Sequence, residues 1–360
     1  MFAIVMAGGS GTRFWPASRQ HLPKQFLAIT SRQTMFEETL GRIDKLITDN
    51  SVYAVVNKMH EEITRRLLLD RPVSVLVEPV GRNTSACIGL AALHIRQRAA
   101  DTPIVVLPSD HYISNKDLFL QILSSAANIA ANSGIVTLGI NPTQPETGYG
   151  YIEIGEQKGT SLNHEYFSVS RFVEKPDFET ACQYISSGKY LWNSGIFIFT
   201  ARTILQEIEE HIPALYQILT EIEKYISTPE YEKVVERLYP EIEPISIDYG
   251  VMEKTSNSIY LIPTDFGWSD VGSWKALYDL RSNEKDESDN LTLGYKSITA
   301  VDAKNNLVYS KTDKEVALLG VEGLVVVETE DVLLIADRNR SQDIKLFPEK
   351  FKVSGKVKLC

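Results

Sequence analysis

Near its amino terminus the chain combines a glycine-rich loop with two cationic side chains. The apolar run Phe2–Met6 is followed by Ala-Gly-Gly-Ser-Gly-Thr-Arg, and glycines let the backbone turn sharply with its N–H groups pointing into a concavity that suits phosphate oxygens. Arg13 follows the loop directly, and Lys24 lies in Leu-Pro-Lys-Gln. A forked guanidinium and a point-charge ammonium together neutralise a nucleoside triphosphate. We therefore predict a triphosphate site whose loop residues are Gly8, Gly9, Gly11 and Thr12.

Two better-known glycine loops do not fit this sequence. A Walker A loop requires Lys-Ser/Thr after its last glycine, whereas Thr12, Arg13 and Phe14 follow here. A dinucleotide-binding fingerprint requires a third glycine at the position that Phe14 occupies. A tight strand-to-helix turn without a ligand remains an alternative. It explains Gly8 or Gly11 alone, but it does not explain two cations nearby.

Two aspartates are candidates for holding Mg²⁺. Asp110 follows the apolar run Ile104–Leu107, and Asp270 lies in Gly-Trp-Ser-Asp-Val-Gly-Ser-Trp. Mg²⁺ usually takes one or two carboxylates and completes its octahedron with phosphate oxygens and water. Taken alone, Asp110 is better explained as the cap of the turn that follows it. A magnesium site would place the two aspartates side by side.

The elements that position these residues alternate between strands and helices. The predicted strands are Phe2–Met6, Val52–Val56, Val73–Val77, Ile104–Leu107, Ile135–Gly139, Tyr151–Ile154, Phe167–Val173 and Ile196–Thr200, and the predicted helical segments include Glu37–Ile47, Ser85–Arg98, Leu118–Ala131 and Ala201–Leu238 with breaks at Pro213 and Pro229. Continuous apolar strands separated by helices predict an α/β fold with a doubly wound, mostly parallel sheet. Ligands of such sheets bind outside the carboxyl ends of the strands.

The strings GGSGTRFWPAS and LPKQF resemble the signature of the sugar-1-phosphate nucleotidyltransferase family. The Pro-Lys-Gln form and GWSDVGSW are similar to the guanylyltransferases that act on mannose 1-phosphate, over roughly the first three-quarters of the chain. Phe14 stands where the family usually has leucine. The resemblance implies a Rossmann-like doubly wound mixed sheet and transfer of GMP from GTP to α-D-mannose 1-phosphate, with GDP-mannose and pyrophosphate as products. It also implies Mg²⁺ as cofactor on Asp110 and Asp270, with Arg13 and Lys24 acting in catalysis.

The resemblance also suggests how the base is chosen. The third predicted strand leads to Glu78, and Asn83 and Ser85 follow in the next loop. A glutamine resembles Glu78 in position in the uridylyl- and thymidylyltransferases. A carboxylate only accepts hydrogen bonds, which suits the adjacent N1–H and 2-amino donors of guanine. We expect Glu78, Asn83 and Ser85 to bind the nucleotide. Asn83 or Thr84 is also explained as the N-cap of the next helix.

The same resemblance assigns the sugar phosphate to Gly148, Glu174, Lys175 and Asn193. Gly148 lies in Glu-Thr-Gly-Tyr-Gly, where a glycine allows close approach of a hexose to the backbone. Glu174 and Asn193 would bind sugar hydroxyls, and Lys175 would bind the sugar phosphate. The alternative for Glu174 and Lys175 is a surface ion pair that contributes little energy.

The carboxyl-terminal part differs in character from the rest. The run 281–290 is polar and acidic, as in a linker, and 291–352 consists of short Val, Leu and Ile runs separated by polar turns. We predict a nucleotidyltransferase domain over 1–283, a linker over 284–290 and a small all-β domain over 291–360. A short left-handed β-helix is one candidate geometry, although no clean six-residue repeat is present.

Composition excludes several other classes of protein. Lys and Arg number 37 against 47 Asp and Glu, a net charge of −10, which argues against binding to nucleic acid or to an anionic membrane. Cys87, Cys182 and Cys360 lie far apart and predict reduced thiols rather than disulfides or a zinc site. We see no signal peptide and no apolar run long enough to span a membrane. We expect a cytoplasmic protein and, from its apolar β domain, a homodimer.

Other functions remain open at this level. The same chemistry with another hexose 1-phosphate or another nucleotide is the nearest, and a non-catalytic regulator that binds a nucleotide sugar is a second. A glycosyltransferase would want Asp-x-Asp at its metal, and Ser109-Asp110-His111 lacks it. The sequence stops at Cys360 without the phosphomannose isomerase domain of some relatives, so we expect one activity.

Overall fold

The computed structural model describes residues 1–9, 11–132, 134–255, 258–294 and 298–359. The chain forms two compact units. The large unit consists of Met1–Gly8, Thr39–Ser109 and Ile113–Trp268, and the small unit of Gly9–Glu38, Asp110–Tyr112 and Ser269–Cys360. Each unit is described by itself below.

The large unit is built on a mixed sheet. Its strands are β1 Phe2–Met6, β2 Val52–Asn57, β3 Ser74–Glu78, β4 Pro103–Pro108, β6 Ile135–Ile140, β7 Gly150–Ser161, β8 His164–Glu174, β9 Tyr190–Thr200 and β10 Ile259–Thr264; the short strands β5 Tyr112–Ile113 and β11 Trp268–Ser269 lie outside this sheet. The strand order is β3-β2-β1-β4-β9-β6-β10-β8-β7. The first four strands in that order run parallel to one another, whereas β9, β8 and β7 pair antiparallel. The sheet is therefore mixed, as the family resemblance implies. The mostly parallel sheet predicted from the apolar runs is wrong.

The helices are α1 Met35–Ile43, α2 Glu61–Leu67, α3 Asn83–Ala99, α4 Lys116–Asn132, α5 Phe178–Ser187, α6 Ala201–His211, α7 Pro213–Glu223, α8 Tyr231–Leu238, α9 Trp274–Leu280 and α10 Leu346–Val353. The predicted helical segments correspond to α1, α3, α4 and α6 to α8, with shifts at their ends, whereas α2, α5, α9 and α10 were not predicted. Pro213 opens α7 at its first turn, where a missing N–H costs nothing. α3 packs an almost wholly buried apolar face into the core of the large unit, beside β1 and β2. None of the helices among the described residues is long and apolar enough to cross a membrane.

The small unit contains the predicted all-β region. Its strands are β12 Leu291–Gly294, β13 Ile298–Val301, β14 Leu307–Ser310, β15 Val316–Leu319, β16 Leu324–Glu328 and β17 Leu333–Asp337. β12, β14 and β16 pair in parallel in one sheet, and β13 pairs in parallel with β15 in another. Parallel strands that alternate between two sheets along the chain form the successive turns of a β-helix-like coil.

Residues from three parts of the sequence share the core of the small unit. Phe14, Trp15 and Leu27 pack with Trp274 and with apolar residues of β12, β14 and β16. The predicted linker is an ordered turn, because the Asp286 carboxylate accepts hydrogen bonds from backbone N–H groups. The segments predicted as 1–283, 284–290 and 291–360 therefore do not coincide with the compact units. Cys87 and Cys182 are free thiols, while Cys360 lies outside the described residues.

Candidate functional site

The glycine loop in the small unit is fixed by its contact with the segment that carries Lys24. Gly11 has φ +56°, and a Cβ added there would lie 2.6 Å from the backbone nitrogen of Lys24. Glycine is required here because both the conformation and the space exclude a side chain. Ser18 Oγ donates to the Gly11 carbonyl at 2.7 Å, and Gln25 Nε2 donates to the Gly9 carbonyl at 3.0 Å. The loop is exposed at Gly8 and Gly9, while Ser10 of the predicted motif lies outside the described residues.

Lys24 brings the two predicted metal aspartates together. Its side chain is only 5 % exposed, and Nζ donates to Asp110 Oδ2 at 3.0 Å and to the backbone carbonyl of Asp270. Burial is the largest single influence on the pKa of Asp110 and acts to raise it, but the charges of Lys24 and His111, together with the hydrogen bond from Lys24, hold that pKa below its usual range. Asp110 is therefore ionised at neutral pH, with an ammonium as its counter-ion.

Arg13 and the Asp270 side chain meet at Gly272. Arg13 Nη1 donates to the Gly272 carbonyl at 3.2 Å. A Cβ at Gly272 would lie 2.6 Å from Asp270 Oδ2 and 3.2 Å from Arg13 Nη1, so a larger residue would displace both groups. Val271 between them has φ +45°, which costs a β-branched residue on the order of 1–3 kcal/mol. Its buried side chain in the core of the small unit holds it there.

These groups border one cavity of about 220 Å³. It is lined by Gly11, Thr12, Arg13, Phe14, Lys24, Asp110, Asp270 and Gly272. Two carboxylates fit Mg²⁺, which takes its other ligands from phosphate and water. Among the described residues, no group of three or more His, Cys, Asp or Glu side chains could hold a metal, so the protein part of such a site would be the two aspartates. The sequence predicted this juxtaposition of Asp110 and Asp270.

Glu78 lies at the end of β3 in the large unit, and it is 3 % exposed. Tyr239 Oη donates to Glu78 Oε1 at 2.5 Å. A Cβ added at Gly8 would lie 3.4 Å from Glu78 Oε2, so that second oxygen faces the start of the glycine loop. Burial raises the pKa of Glu78 to about 7, although the Tyr239 hydrogen bond acts to lower it. Tyr239 was not found from the sequence.

The other predicted nucleotide residues lie at the start of α3. The prediction of an N-cap at Asn83 or Thr84 is wrong, because the helix begins at Asn83, with Arg82 as N-cap and without a side-chain capping bond. Thr84 Oγ1 instead accepts from Ile247 N at 2.8 Å. Ser85 is fully buried, and its hydroxyl has no hydrogen-bond partner among the described residues. It therefore lies beneath the surface rather than on it.

The predicted sugar residues converge around Gly150 in the large unit. A Cβ at Gly150 would lie 2.4 Å from Glu174 Oε2 and 3.2 Å from Asn193 Cβ. Lys175 Nζ lies 2.6 Å from Glu174 Oε1, and the side chains are 58 % and 14 % exposed, respectively. Only the lysine is a surface group. The alternative of an ion pair between two surface side chains therefore does not describe Glu174 and Lys175. Gly148 is exposed, and its N–H donates to the Glu146 side chain.

Asp248 is a further acidic residue of this cluster that sequence reasoning missed. Its Oδ1 accepts from Asn193 Nδ2 at 2.8 Å. Burial, with the nearby charge of Glu174, raises the pKa of Asp248 to about 6. The available signal was a single acid within the otherwise apolar Ile-Ser-Ile-Asp-Tyr-Gly-Val.

Comparisons with known proteins agree with this fold. The chain matches the Nucleotidyl transferase family over residues 2–287 and the MannoseP isomerase/GMP-like beta-helix domain over residues 296–350. The chain therefore belongs to the nucleotidyl transferase family, and the predicted membership of its mannose-1-phosphate guanylyltransferases is confirmed.

Similar proteins cover nearly the whole chain. A mannose-1-phosphate guanylyltransferase of Salmonella muenchen is 37% identical over 99% of this chain and 74% of its own length. One of Escherichia coli K12 is 38% identical with the same coverage. The solved structure of a Thermus thermophilus protein, described as a mannose-1-phosphate geranyltransferase, superposes with a TM-score of 0.87 at 33% identity, covering 98% of this chain and 99% of that one. The predicted fold class, including the β-helix-like domain, is confirmed.

Proposed function

We propose that this enzyme transfers GMP from GTP to α-D-mannose 1-phosphate and releases pyrophosphate. The observation that carries the proposal is the cavity where Arg13, Lys24, Asp110 and Asp270 meet beside the glycine loop. A site that joins two anions needs cations held in place before the reaction. Here the glycine loop packs directly against Lys24, with Gly11 in contact with the lysine backbone. The reaction takes place in the cytoplasm, and we expect the enzyme to act as a homodimer.

The reaction is an in-line displacement at phosphorus. An oxygen of the sugar phosphate attacks the α-phosphorus of GTP, and pyrophosphate leaves on the opposite side. Mg²⁺ on Asp110 and Asp270 would screen the repulsion between the two anions. Arg13 stabilises the charge that develops on the α-phosphate. Lys24 holds the phosphates with an N–H beyond the two that donate to Asp110 and to the Asp270 carbonyl.

Glu78 supports GTP as the nucleotide. An ionised carboxylate offers acceptors only, and its Oε2 atom faces Gly8. Guanine presents two adjacent donors to such a group, whereas uracil presents an acceptor on either side of its single donor. Asn83 and Ser85, at the start of α3, complete the proposed nucleotide set, with Ser85 acting from beneath the surface.

The cluster around Gly150 supports a hexose phosphate as the acceptor. Glu174 accepts hydrogen bonds from sugar hydroxyls, and Asn193 binds them with its amide, while the exposed Gly148 lets the ring approach the backbone. Lys175, the most exposed of the group, binds the sugar phosphate. Its φ of +49° is unusual for a lysine, and a conformation of this kind often occurs at functional sites.

Pyrophosphate release, measured over four nucleoside triphosphates and several hexose 1-phosphates, tests the proposal. We expect the pair GTP and mannose 1-phosphate to give the highest kcat/KM, with activity lost on chelation and restored by Mg²⁺. A different preferred pair would contradict the substrate assignment. Binding of GDP-mannose without turnover of any pair would show a regulator instead of an enzyme.

A further inference from the structure

The segment from Tyr239 to Asp248 runs from the base residue to the sugar residues of the large unit. It is tied to the segment 78–85 by four hydrogen bonds: Tyr239 Oη to Glu78 Oε1, Arg82 Nη2 to the Pro240 carbonyl, Ser85 N to the Ile245 carbonyl and Ile247 N to Thr84 Oγ1. Its far end carries Asp248, which accepts from Asn193. The position of Tyr239 is therefore fixed by the backbone of the segment that follows it as well as by its own hydroxyl.

The Tyr239 hydroxyl fixes the orientation of the Glu78 carboxylate. Tyr239 is fully buried, and its Oη donates to Oε1 of Glu78. The terminal torsion of a glutamate is soft, so without this bond the carboxylate could rotate. With the bond in place, Oε2 is the oxygen that faces Gly8 and is available to a base.

The same hydroxyl favours the acceptor-only form of Glu78. Burial raises the pKa of Tyr239 well above its ordinary value, so the phenol stays protonated and donates. A protonated glutamic acid would offer an O–H donor as well as an acceptor, much as glutamine offers both. Within the part of the chain that the structure describes, Cys87 of α3 and Tyr239 are the titratable groups that interact with Glu78, and neither provides a positive charge. The donated hydrogen bond is therefore what stabilises the carboxylate.

We propose that Tyr239 is a specificity-determining positioning residue, which makes Glu78 select a base with two donors by orienting its carboxylate. The inference rests on the proposed function, because Glu78 must face guanine for it to hold. Tyr239 itself does not touch the nucleotide.

The test compares GTP with ITP, whose base lacks only the 2-amino donor. For the wild-type enzyme we expect a clear preference in kcat/KM for GTP. In Tyr239→Phe that preference falls by about tenfold to a hundredfold at neutral pH, the effect of losing a hydrogen bond to a charged group. Because the pKa of Glu78 rises when its donor is removed, the preference returns at higher pH than in the wild type.

Tyr231→Phe is the matched control. Tyr231 is also a largely buried tyrosine, and its hydroxyl hydrogen-bonds His94 at 2.7 Å rather than Glu78. We expect this variant to keep the wild-type GTP/ITP ratio and its pH profile, even if its melting temperature falls. An equal loss of the ratio in both variants would overturn the proposal, since it would show a general packing effect.

The possible outcomes separate this inference from the proposed function. A wild-type enzyme that does not prefer GTP contradicts the proposed function, whereas a folded Tyr239→Phe variant with an unchanged ratio and pH profile contradicts only the role of Tyr239. If Tyr239→Phe does not fold, 3-fluorotyrosine at position 239 decides. Its more acidic hydroxyl should move the pH midpoint of the GTP/ITP preference downward, and an unmoved midpoint would refute the proposal.

Discussion

The ammonium of Lys24 lies 3.0 Å from Oδ2 of Asp110, so the carboxylate proposed to bind a metal is paired with a lysine of the phosphate loop. The lysine is almost completely buried, while the aspartate side chain is 38 % exposed. This asymmetry means that the aspartate is far more accessible from solvent than the lysine, which reaches the open space only where it lines the cavity. The pair therefore keeps both charges in place at the edge of the cavity.

Asp110→Asn tests the catalytic half of this arrangement. We expect kcat to fall by about a hundredfold or more, because the carboxylate proposed to hold the metal beside the reacting phosphates is lost. The fold should persist, since asparagine keeps an oxygen that can accept from Lys24. Pyrophosphate release and thermal unfolding measure the two effects. Asp117→Asn, at the exposed pair with Lys45, is the control, and wild-type turnover in Asp110→Asn would exclude Asp110 from the metal site.

Glu78→Gln should make the protein more stable at alkaline pH. The pKa of Glu78 is about 7 in the folded protein against an ordinary 4.5, so folding favours its protonated form. The wild-type unfolding free energy therefore falls as pH rises from 4.5 to 7, by about 3 kcal/mol in total. Glutamine does not titrate, and it can still accept from Tyr239. Chemical denaturation at pH 5 and pH 8 should show the variant gaining much more at pH 8 than at pH 5.

The control for that experiment is Glu62→Gln, at an exposed glutamate of α2. Its stability should follow pH in parallel with the wild type. If Glu78→Gln were no more stable than the wild type at pH 8, burial would not raise the pKa of the Glu78 carboxylate. The argument that Glu78 recognises the base through a buried carboxylate would then lose its physical basis.

Gly8→Ala should hinder the nucleotide without disturbing the fold. The added methyl would lie 3.4 Å from Glu78 Oε2, an ordinary contact distance, so we expect little change in melting temperature. It would nevertheless occupy the space beside the oxygen that a base must reach. KM for GTP should rise severalfold, while Gly81→Ala, whose Cβ meets nothing within 4 Å, leaves it unchanged. Equal KM values in the two variants would place the base elsewhere.

The sequence was most informative where chemistry depends on neighbours along the chain. The glycines, Arg13 and Lys24 lie within one short stretch, and Asp110 and Asp270 each follow a recognisable string. Buried parallel strands are likewise recognisable in the sequence as apolar runs. These are local signals, and the structure confirms the α/β class that they predict, although its sheet is mixed rather than mostly parallel.

What escaped prediction depends on contacts between distant segments. Tyr239 and Asp248 lie in no motif, and each matters through a partner far away in sequence, Glu78 and Asn193 respectively. The contact between Phe14 and Trp274 in a shared core likewise cannot be predicted from the hydrophobic periodicity of the sequence. Local sequence also misled at Asn83, where the predicted N-cap is absent and the residue has a φ of +65°.

Gly150→Ala tests the sugar cluster. Its Cβ would lie 2.4 Å from Glu174 Oε2 and 3.2 Å from Asn193 Cβ, so both side chains must move away from their present positions. Because these residues are proposed to bind hydroxyls, KM for mannose 1-phosphate should rise by about tenfold or more, the effect of losing one or two hydrogen bonds. KM for GTP should change little, with Gly81→Ala again as the reference. A rise in both KM values, with a lowered melting temperature, would mean that Gly150 serves the fold and that the sugar binds elsewhere.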